Sequence, residues 1–463
     1  MKTLGVTHSV CPTCRRLVPA KIVADESTVY FDKFCTEHGT SRVAIRSDPA
    51  DYMKTLRHVK PAWIPEAFAG NTQAACPDGC GMCERHEQHL CMPIVEITSR
   101  CDLACPVCLV DAGQPWDMSL AEFDRLLDVL IAAERQIDIL NLSGGEPLLH
   151  PAILEIVDRA IAREEIVRVS ISTNGLQLLE RPELVDALQQ RGVVISLQFD
   201  GFTQEIYQTL RGRPLLDEKL RLVDLLGEAD ISTSLTMTAV AGVNDDQFPA
   251  MLEYYFDRPH LVSMMIQPLA IEGRARNMET ERLSIPDIIR LLDNAGMPEV
   301  SADDFSPLPC SHPLCFSLAF FLILDDGGRV SLSRLLDASR QLDLLANRTV
   351  FGLDAAEQDQ IKDLIYELWS GPVGAAPDSD AILRTLRSIL DDMACDCFDP
   401  RRAFSTTERR VKSIFIHAFQ DADTFDLARV RRCCNGYPQP DGRIIPACVH
   451  NVRGRHRAAG EEG

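Results

Sequence analysis

Residues 94–108 read IVEITSRCDLACPVC, and residues 137–147 read IDILNLSGGEP. Each opens as a short apolar run and ends in a polar turn, the sign of a buried strand feeding a loop. Between them lies SLAEFDRLLDVL, residues 119–130, with apolar positions 120, 123, 126, 127 and 130 on one helical face. Ser119, with Glu122 three residues later, reads as a capping box that starts this helix. The same alternation continues with apolar runs at Val167–Ser172, Val193–Phe199, Ser232–Thr238 and Leu261–Ile266. Helical patterns fill 151–164, 182–191, 217–229 and 247–256. Six strand–helix units predict an α/β fold with a parallel sheet and right-handed crossovers, either a partial (β/α)6 barrel or an open sheet. Both arrangements collect functional residues at the C-terminal ends of the strands. There the sequence places Cys101-Asp-Leu-Ala-Cys105-Pro-Val-Cys108, Ser143-Gly-Gly-Glu-Pro147, Thr173-Asn-Gly175 and Gln198-Phe-Asp-Gly201. Any one of these is explained by turn chemistry alone; together, with cysteines on the first, they mark a site.

Three regions follow from composition along the 463 residues: 1–90, rich in Cys, His and Pro with little periodicity; 91–295, the strand–helix region; and 296–463, helical stretches with further cysteines. The tail from Arg453 reads as frayed. The net charge of −21 disfavours a nucleic-acid protein, despite the local basic stretch Arg453–Arg457. No apolar run reaches the ~18 residues of a membrane span. The N-terminal stretch lacks the apolar centre of a secretory signal. A cytoplasmic protein is expected.

Seventeen cysteines dominate the composition. In a reducing compartment, clustered cysteines serve metal or redox chemistry. Cys101, Cys105 and Cys108 form CxxxCxxC, three thiolates on one tight loop. Three cannot close four-iron ligation, so one iron stays open; a zinc loop is the alternative. Cys76, Cys80, Cys83 and Cys91 read as a second, four-thiolate set, or as a zinc knuckle using His86 or His89. The pair His86-Glu-Gln-His89 lacks the HExxH spacing of a zinc protease. Cys11 and Cys14 with Cys35 and His38 make a CxxC…CxxH set for zinc or a mononuclear iron. Cys310 and Cys315 are grouped with Cys448 and one of Cys433 and Cys434, with Cys434 taken as the ligand. Cys395 and Cys397 are left unassigned.

CxxxCxxC after the first strand and Gly144-Gly145-Glu146-Pro147 after the second resemble the radical S-adenosylmethionine superfamily. The strings CPDGCGMCERHEQHLC, ISLQFDG, IQPLAIEGRAR and PDGRIIPAC narrow the resemblance to a group that includes the archaeal tetraether lipid synthase and a pterin C-methylating relative. The resemblance implies a [4Fe–4S] cluster on Cys101, Cys105 and Cys108, with S-adenosylmethionine on the open iron. It implies methionine contacts from Gly144, Gly145 and Glu146, and further contacts from Thr173, Asn174, Gln198 and Asp200. It also implies one or two auxiliary [4Fe–4S] clusters, one mononuclear Fe or Zn, and an electron donor such as a ferredoxin or flavodoxin. The reaction it implies is hydrogen abstraction from an unactivated C–H bond by a 5′-deoxyadenosyl radical.

The leading expectation is C–C bond formation between lipid alkyl chains, with peripheral membrane contact and apolar segments such as Phe316–Leu324 and Leu261–Ile266 lining a tunnel. The alternative is radical C-methylation of a pterin-like heterocycle, read by groups such as Gln267, Arg274 and Arg276. A non-catalytic iron–sulfur electron carrier is the third reading. It predicts no S-adenosylmethionine cleavage, and the GGEP motif argues against it.

Overall fold

The computed structural model describes residues 1–58, 63–68, 76–110, 115–335, 379–393 and 408–455. Its N-terminal part is an antiparallel meander of β1 (Lys2–Val10), β2 (Leu17–Ala24), β3 (Thr28–Cys35) and β4 (Gly39–Ser47). The sequence predicts little periodicity here, yet β3 buries Val29, Phe31, Lys33 and Cys35 in strict alternation. Lys33 hides the pattern, because a charged side chain occupies an inward position. Its ammonium is satisfied by the carbonyls of Val10 and Ala422, at 3.1 and 2.8 Å.

The second sheet contains the six expected strands as β5 (Met92–Thr98), β6 (Ile137–Gly144), β7 (Ile166–Thr173), β8 (Val194–Gln198), β9 (Thr233–Ala239) and β10 (Leu261–Pro268). They are adjacent in sequence order and parallel throughout. The helix Leu120–Glu134 starts in the capping box of Ser119 and Glu122. It buries Phe123, Leu126, Leu127 and Leu130 in the same core as strand residues Val95, Ile97, Leu140 and Leu142. Alternate strand residues face away from this core, which leaves Ile94, Asn141, Ser172 and Ser196 pointing into the interior of the curled sheet.

The C-terminal part extends this sheet at both edges. β11 (Ser306–Pro307), β12 (Phe316–Ile323) and β13 (Arg329–Ser331) build one flank. β14 (Val411–His417) inserts between β12 and β10, parallel to β10. On the far edge β15 (Asn435–Pro438) runs parallel to β5, with β16 (Ile444–Pro446) beside it. β12 is buried along nearly its whole length, as a strand covered on both faces must be. Among the described residues no helix is long and apolar enough to cross a membrane.

Candidate metal and radical centre

Cys101, Cys105 and Cys108 lie on the loop leaving β5, at the C-terminal edge of the parallel sheet. The turn after β6 is pressed against this loop. Gly145 N donates to Thr98 O at 2.9 Å, and Glu146 N donates to Arg100 O at 2.7 Å. A Cβ on Gly144 would lie 2.2 Å from Thr98 O, and one on Gly145 would lie 2.2 Å from Arg100 O. Gly144 also has φ +133°, which few side chains tolerate. The two glycines are therefore a condition of the cluster loop's position.

Burial pushes the Cys101 thiol up to about 11 and raises Cys105, against the pull of Arg211. Arg211 hydrogen-bonds the Cys105 sulfur and is itself clamped by Asp200, with two bonds of 2.7 Å. Two other groups among the described residues bring three or more metal-capable donor atoms within 4.8 Å of one another; these three thiols do not form such a group. Three sulfurs spread on an open loop suit a polynuclear cluster with a vacant corner better than a single tetrahedral ion.

Most side chains that the resemblance selected for S-adenosylmethionine are engaged with the protein. Glu146 is fully buried and accepts from Thr173 Oγ1 at 2.6 Å, Asn174 N at 2.8 Å and Leu148 N at 3.1 Å. Burial raises its carboxyl to about 7 against those three bonds. Asn174 Nδ2 donates to Asp102 at 2.6 Å, and Asn174 Oδ1 accepts from Leu176 N. Asp200 is consumed by Arg211 and Thr238 N. Gln198 donates to Asp200, while its Oε1 is buried without a hydrogen-bond partner among the described residues. Sequence reasoning missed Lys219, which is completely buried and donates to the Asn174 carbonyl beneath this network. Burial lowers its ammonium to about 7.

A second candidate site lies in the β1–β4 sheet. Cys11, Cys14, Cys35 and His38 place their donor atoms within 4.8 Å of one another, the compactness a single tetrahedral ion needs. The Glu37 and His38 backbone N–H groups and the His38 ring hold the Cys35 thiol down at about 6.

The remaining cysteines group differently from their order in sequence. Cys91 does not join Cys76, Cys80 and Cys83; its sulfur lies within 4.8 Å of Cys310 and Cys434. The cause is strand pairing. β15 pairs with the start of β5, Asn435 opposite Met92, so the preceding residues Cys434 and Cys91 meet, with Cys91 N donating to Cys434 O at 2.9 Å. Cys315 and Cys448 are not among the donors of that group. The electrostatic neighbours of Cys433 are Cys434 and Cys315, and Cys448 and Cys80 also sense Cys433. Of the tandem, only Cys434 has its sulfur in the compact group with Cys91 and Cys310. His89 Nε2 lies 3.5 Å from Cys91 Sγ, and its Nδ1 lies 3.2 Å from Glu134. His86 instead contacts the Cys433 carbonyl at 2.8 Å. Cys395 and Cys397 lie outside the described residues.

The interior of the curled sheet holds a cavity of about 210 Å³. Hydroxyls and amides of Asn141, Ser170, Ser172, Ser196, Thr236 and Gln267 line one side. The rest of the lining is aliphatic and aromatic, with Ile94, Val262, Met265, Phe316, Phe320 and Phe419 among it. His417 stacks on Phe316 at 3.8 Å and tilts onto Phe419 at 4.0 Å between ring centroids. Burial lowers His417 to about 3, so its ring is neutral. The alternate Ser and Thr of VRVSIST and STSLTMT carry this ladder and are a period-two signal present in the sequence. Of the sequence candidates for reading a heterocycle, Gln267 lines the cavity, while Arg276 is bound to Glu272.

Residues 95–255 match the family described as Radical SAM superfamily, and residues 3–47 match the HMPTM N-terminal zinc ribbon domain. The sequence is 27% identical to 7,8-dihydro-6-hydroxymethylpterin dimethyltransferase of Methanocaldococcus jannaschii, over 98% of this protein and 94% of that one. It is 31% identical to GTP 3′,8-cyclase of Chlorobaculum tepidum, over 41% of this protein and 58% of that one. Among solved structures, Streptococcus suis SuiB bound to its precursor peptide aligns over 44% of this protein and 45% of that one, with 13% identity and a TM-score of 0.39. With its CxxxCxxC loop and GGEP turn set at the C-terminal edge of a parallel sheet, the protein carries a radical SAM domain over residues 95–255 and is a radical SAM enzyme.

Proposed function

We propose that this enzyme adds methyl groups to carbon atoms of a small, flat, polar heterocycle of the dihydropterin type, held in the interior of the sheet. The cavity carries the reading. At about 210 Å³ within the described residues, it is below the ~300–1,000 Å³ usual for drug-sized ligands, and two long alkyl chains need far more room. One flat ring system can lie against the apolar and aromatic lining while its edge meets the hydroxyl and amide groups. The pterin named for the Methanocaldococcus relative has this chemistry.

Cys101, Cys105 and Cys108 would hold the [4Fe–4S] cluster. When bound with S-adenosylmethionine, it supplies a 5′-deoxyadenosyl radical for hydrogen abstraction. The protein's own share is positional. Gly144 and Gly145 fix the loop, Glu146 ties it to β7 through Thr173 and Asn174, and Asp200 holds Arg211 against Cys105. Gln198 Oε1 is the acceptor that these contacts leave for the bound cofactor. Cys11, Cys14, Cys35 and His38 would hold one zinc or iron ion. Cys91, Cys310 and Cys434 would hold a further iron centre, with His89, oriented by Glu134, as a fourth donor.

The test compares a host lacking the gene, complemented by wild type or by Cys101→Ala, using mass spectrometry of polar and lipid extracts. A wild-type-only polar species heavier by one or two methyl groups supports the reading. A wild-type-only species equal to two joined lipid chains less hydrogen overturns it in favour of alkyl coupling.

A further inference from the structure

The ribbon does more than lie beside the cluster loop. Arg15 directly follows the ligand Cys14, in the turn closed by Arg15 N to Cys11 O and Cys11 N to Arg16 O, both 2.9 Å. Its φ of +58° is a conformation that a residue with a side chain holds only when its surroundings impose it. From there its guanidinium makes a two-pronged pair with Glu272, at 2.8 and 3.0 Å. The Glu272 side chain is 1% exposed and also accepts from Arg276 at 2.7 Å and from Ala422 N at 3.3 Å. The Ala422 carbonyl in turn accepts from Lys33 of the ribbon, which closes the attachment from a second side.

Glu272 begins the short turn that meets the cluster loop. Arg274 N donates to Cys108 O at 3.0 Å. Gly273 passes so close that a Cβ there would lie 2.5 Å from Cys108 O and 2.9 Å from Leu109 Cα. There is no slack between this turn and Cys108, so a shift of Glu272 is passed to the ligand's backbone.

We propose that Arg15 and Glu272 are positioning residues for Cys108, and that metal occupancy of the ribbon is felt at the cluster loop through their ion pair. The four donors of the ribbon hold the Cys11–Arg16 turn in shape. Without an ion joining them, that turn and the strained Arg15 relax, and Glu272 loses its bidentate partner. This inference rests on the assignment of Cys101, Cys105 and Cys108 as ligands of the radical cluster.

The experiment uses the full-length protein with its metals and clusters reconstituted. It records electron paramagnetic resonance of the reduced protein with and without S-adenosylmethionine, because the component that responds to S-adenosylmethionine reports the radical cluster. Arg15→Met and Glu272→Gln should broaden that component and shift its midpoint potential, with S-adenosylmethionine cleavage falling about tenfold for a sub-ångström ligand displacement. Arg15→Lys, which keeps the charge but cannot make both bonds, should restore only part of the wild-type spectrum. Cys14→Ser with Cys35→Ser, shown by metal analysis to lack the ribbon ion, should reproduce the Arg15→Met spectrum, and adding Arg15→Met to it should change nothing further. A wild-type spectrum and potential in Arg15→Met overturn the proposal, as does a wild-type spectrum in the ribbon variant without its ion. If the cysteine variant does not fold, Arg15→Met and Glu272→Gln decide alone. A wild type with no component responsive to S-adenosylmethionine overturns the cluster assignment itself, and the proposal with it.

Discussion

Replacing Gly145 with alanine tests the most constrained contact at the radical centre. The new Cβ would lie 2.2 Å from Arg100 O and 2.8 Å from Arg100 C and Ser99 O, all backbone atoms that cannot swing aside. Relief to about 3 Å, the closest approach real Cβ atoms make, moves Arg100 by close to an ångström. Arg100 is joined directly to Cys101. The same displacement strains the bonds from Gly145 N to Thr98 O and from Glu146 N to Arg100 O, each contributing about 0.5–1.5 kcal/mol. Overpacking adds about 1–3 kcal/mol. The variant should still fold, since this strain lies at the rim of the sheet rather than in its core. S-adenosylmethionine cleavage should fall about 100-fold, the usual consequence of a 1 Å misplacement at a reacting centre. The assay is reductant-dependent formation of 5′-deoxyadenosine, with circular dichroism and iron content measured on the same samples. Gly242→Ala is the control: its φ is +70°, but no atom lies within 4 Å of the new methyl. It should cost about 1 kcal/mol of stability and leave cleavage intact. Cleavage by Gly145→Ala within twofold of wild type would refute the claim that this glycine sets the loop.

Other outcomes follow from the same geometry. Glu146 sits at about 7 in the fold, raised by burial, against ~4.3 when unfolded, so its contribution to stability is greatest below pH ~4 and is lost as pH rises through 7. Relative to the non-titrating Glu146→Gln, the metal-free wild type should lose roughly 3 kcal/mol between pH 4.5 and pH 7.5 in urea denaturation; parallel pH curves would contradict this. Cys91→Ala, Cys310→Ala and Cys434→Ala should each remove the same iron by Mössbauer spectroscopy, and pairing any two should remove no more. Cys433→Ala should affect a different site, and loss of the same iron would contradict the division of the Cys433-Cys434 tandem between two sites. Ser172→Leu inserts an apolar side chain beside Asn141, its hydrogen-bond partner at 3.0 Å. It should abolish product formation while S-adenosylmethionine cleavage without substrate persists.

The strands of the parallel sheet are legible because each is a short apolar run ended by a turn residue. Their bounds differ from the sequence reading by one or two residues, as with Val167–Ser172 against Ile166–Thr173. The ribbon sheet is less legible because Lys33 occupies an inward position, and the carbonyls that satisfy it include one 389 residues away. The cysteine sets of the C-terminal part cannot be sorted by spacing. Whether Cys91 meets Cys80 or Cys434 depends on which strand pairs with the edge of β5, a long-range fact absent from local pattern. Glu146, Thr173, Asn174 and Asp200 are visible as a site, but their hydrogen bonds give them bracing work that residue type alone does not reveal.

The most direct measurement is 5′-deoxyadenosine formation by the reconstituted enzyme, under reductant, with and without 7,8-dihydro-6-hydroxymethylpterin. Stimulation by the pterin in wild type, and no cleavage at all in Cys101→Ala, is the predicted result. Cleavage that survives Cys101→Ala would contradict the assignment of the centre, and stimulation by a long-chain lipid but not by the pterin would contradict the assignment of the substrate.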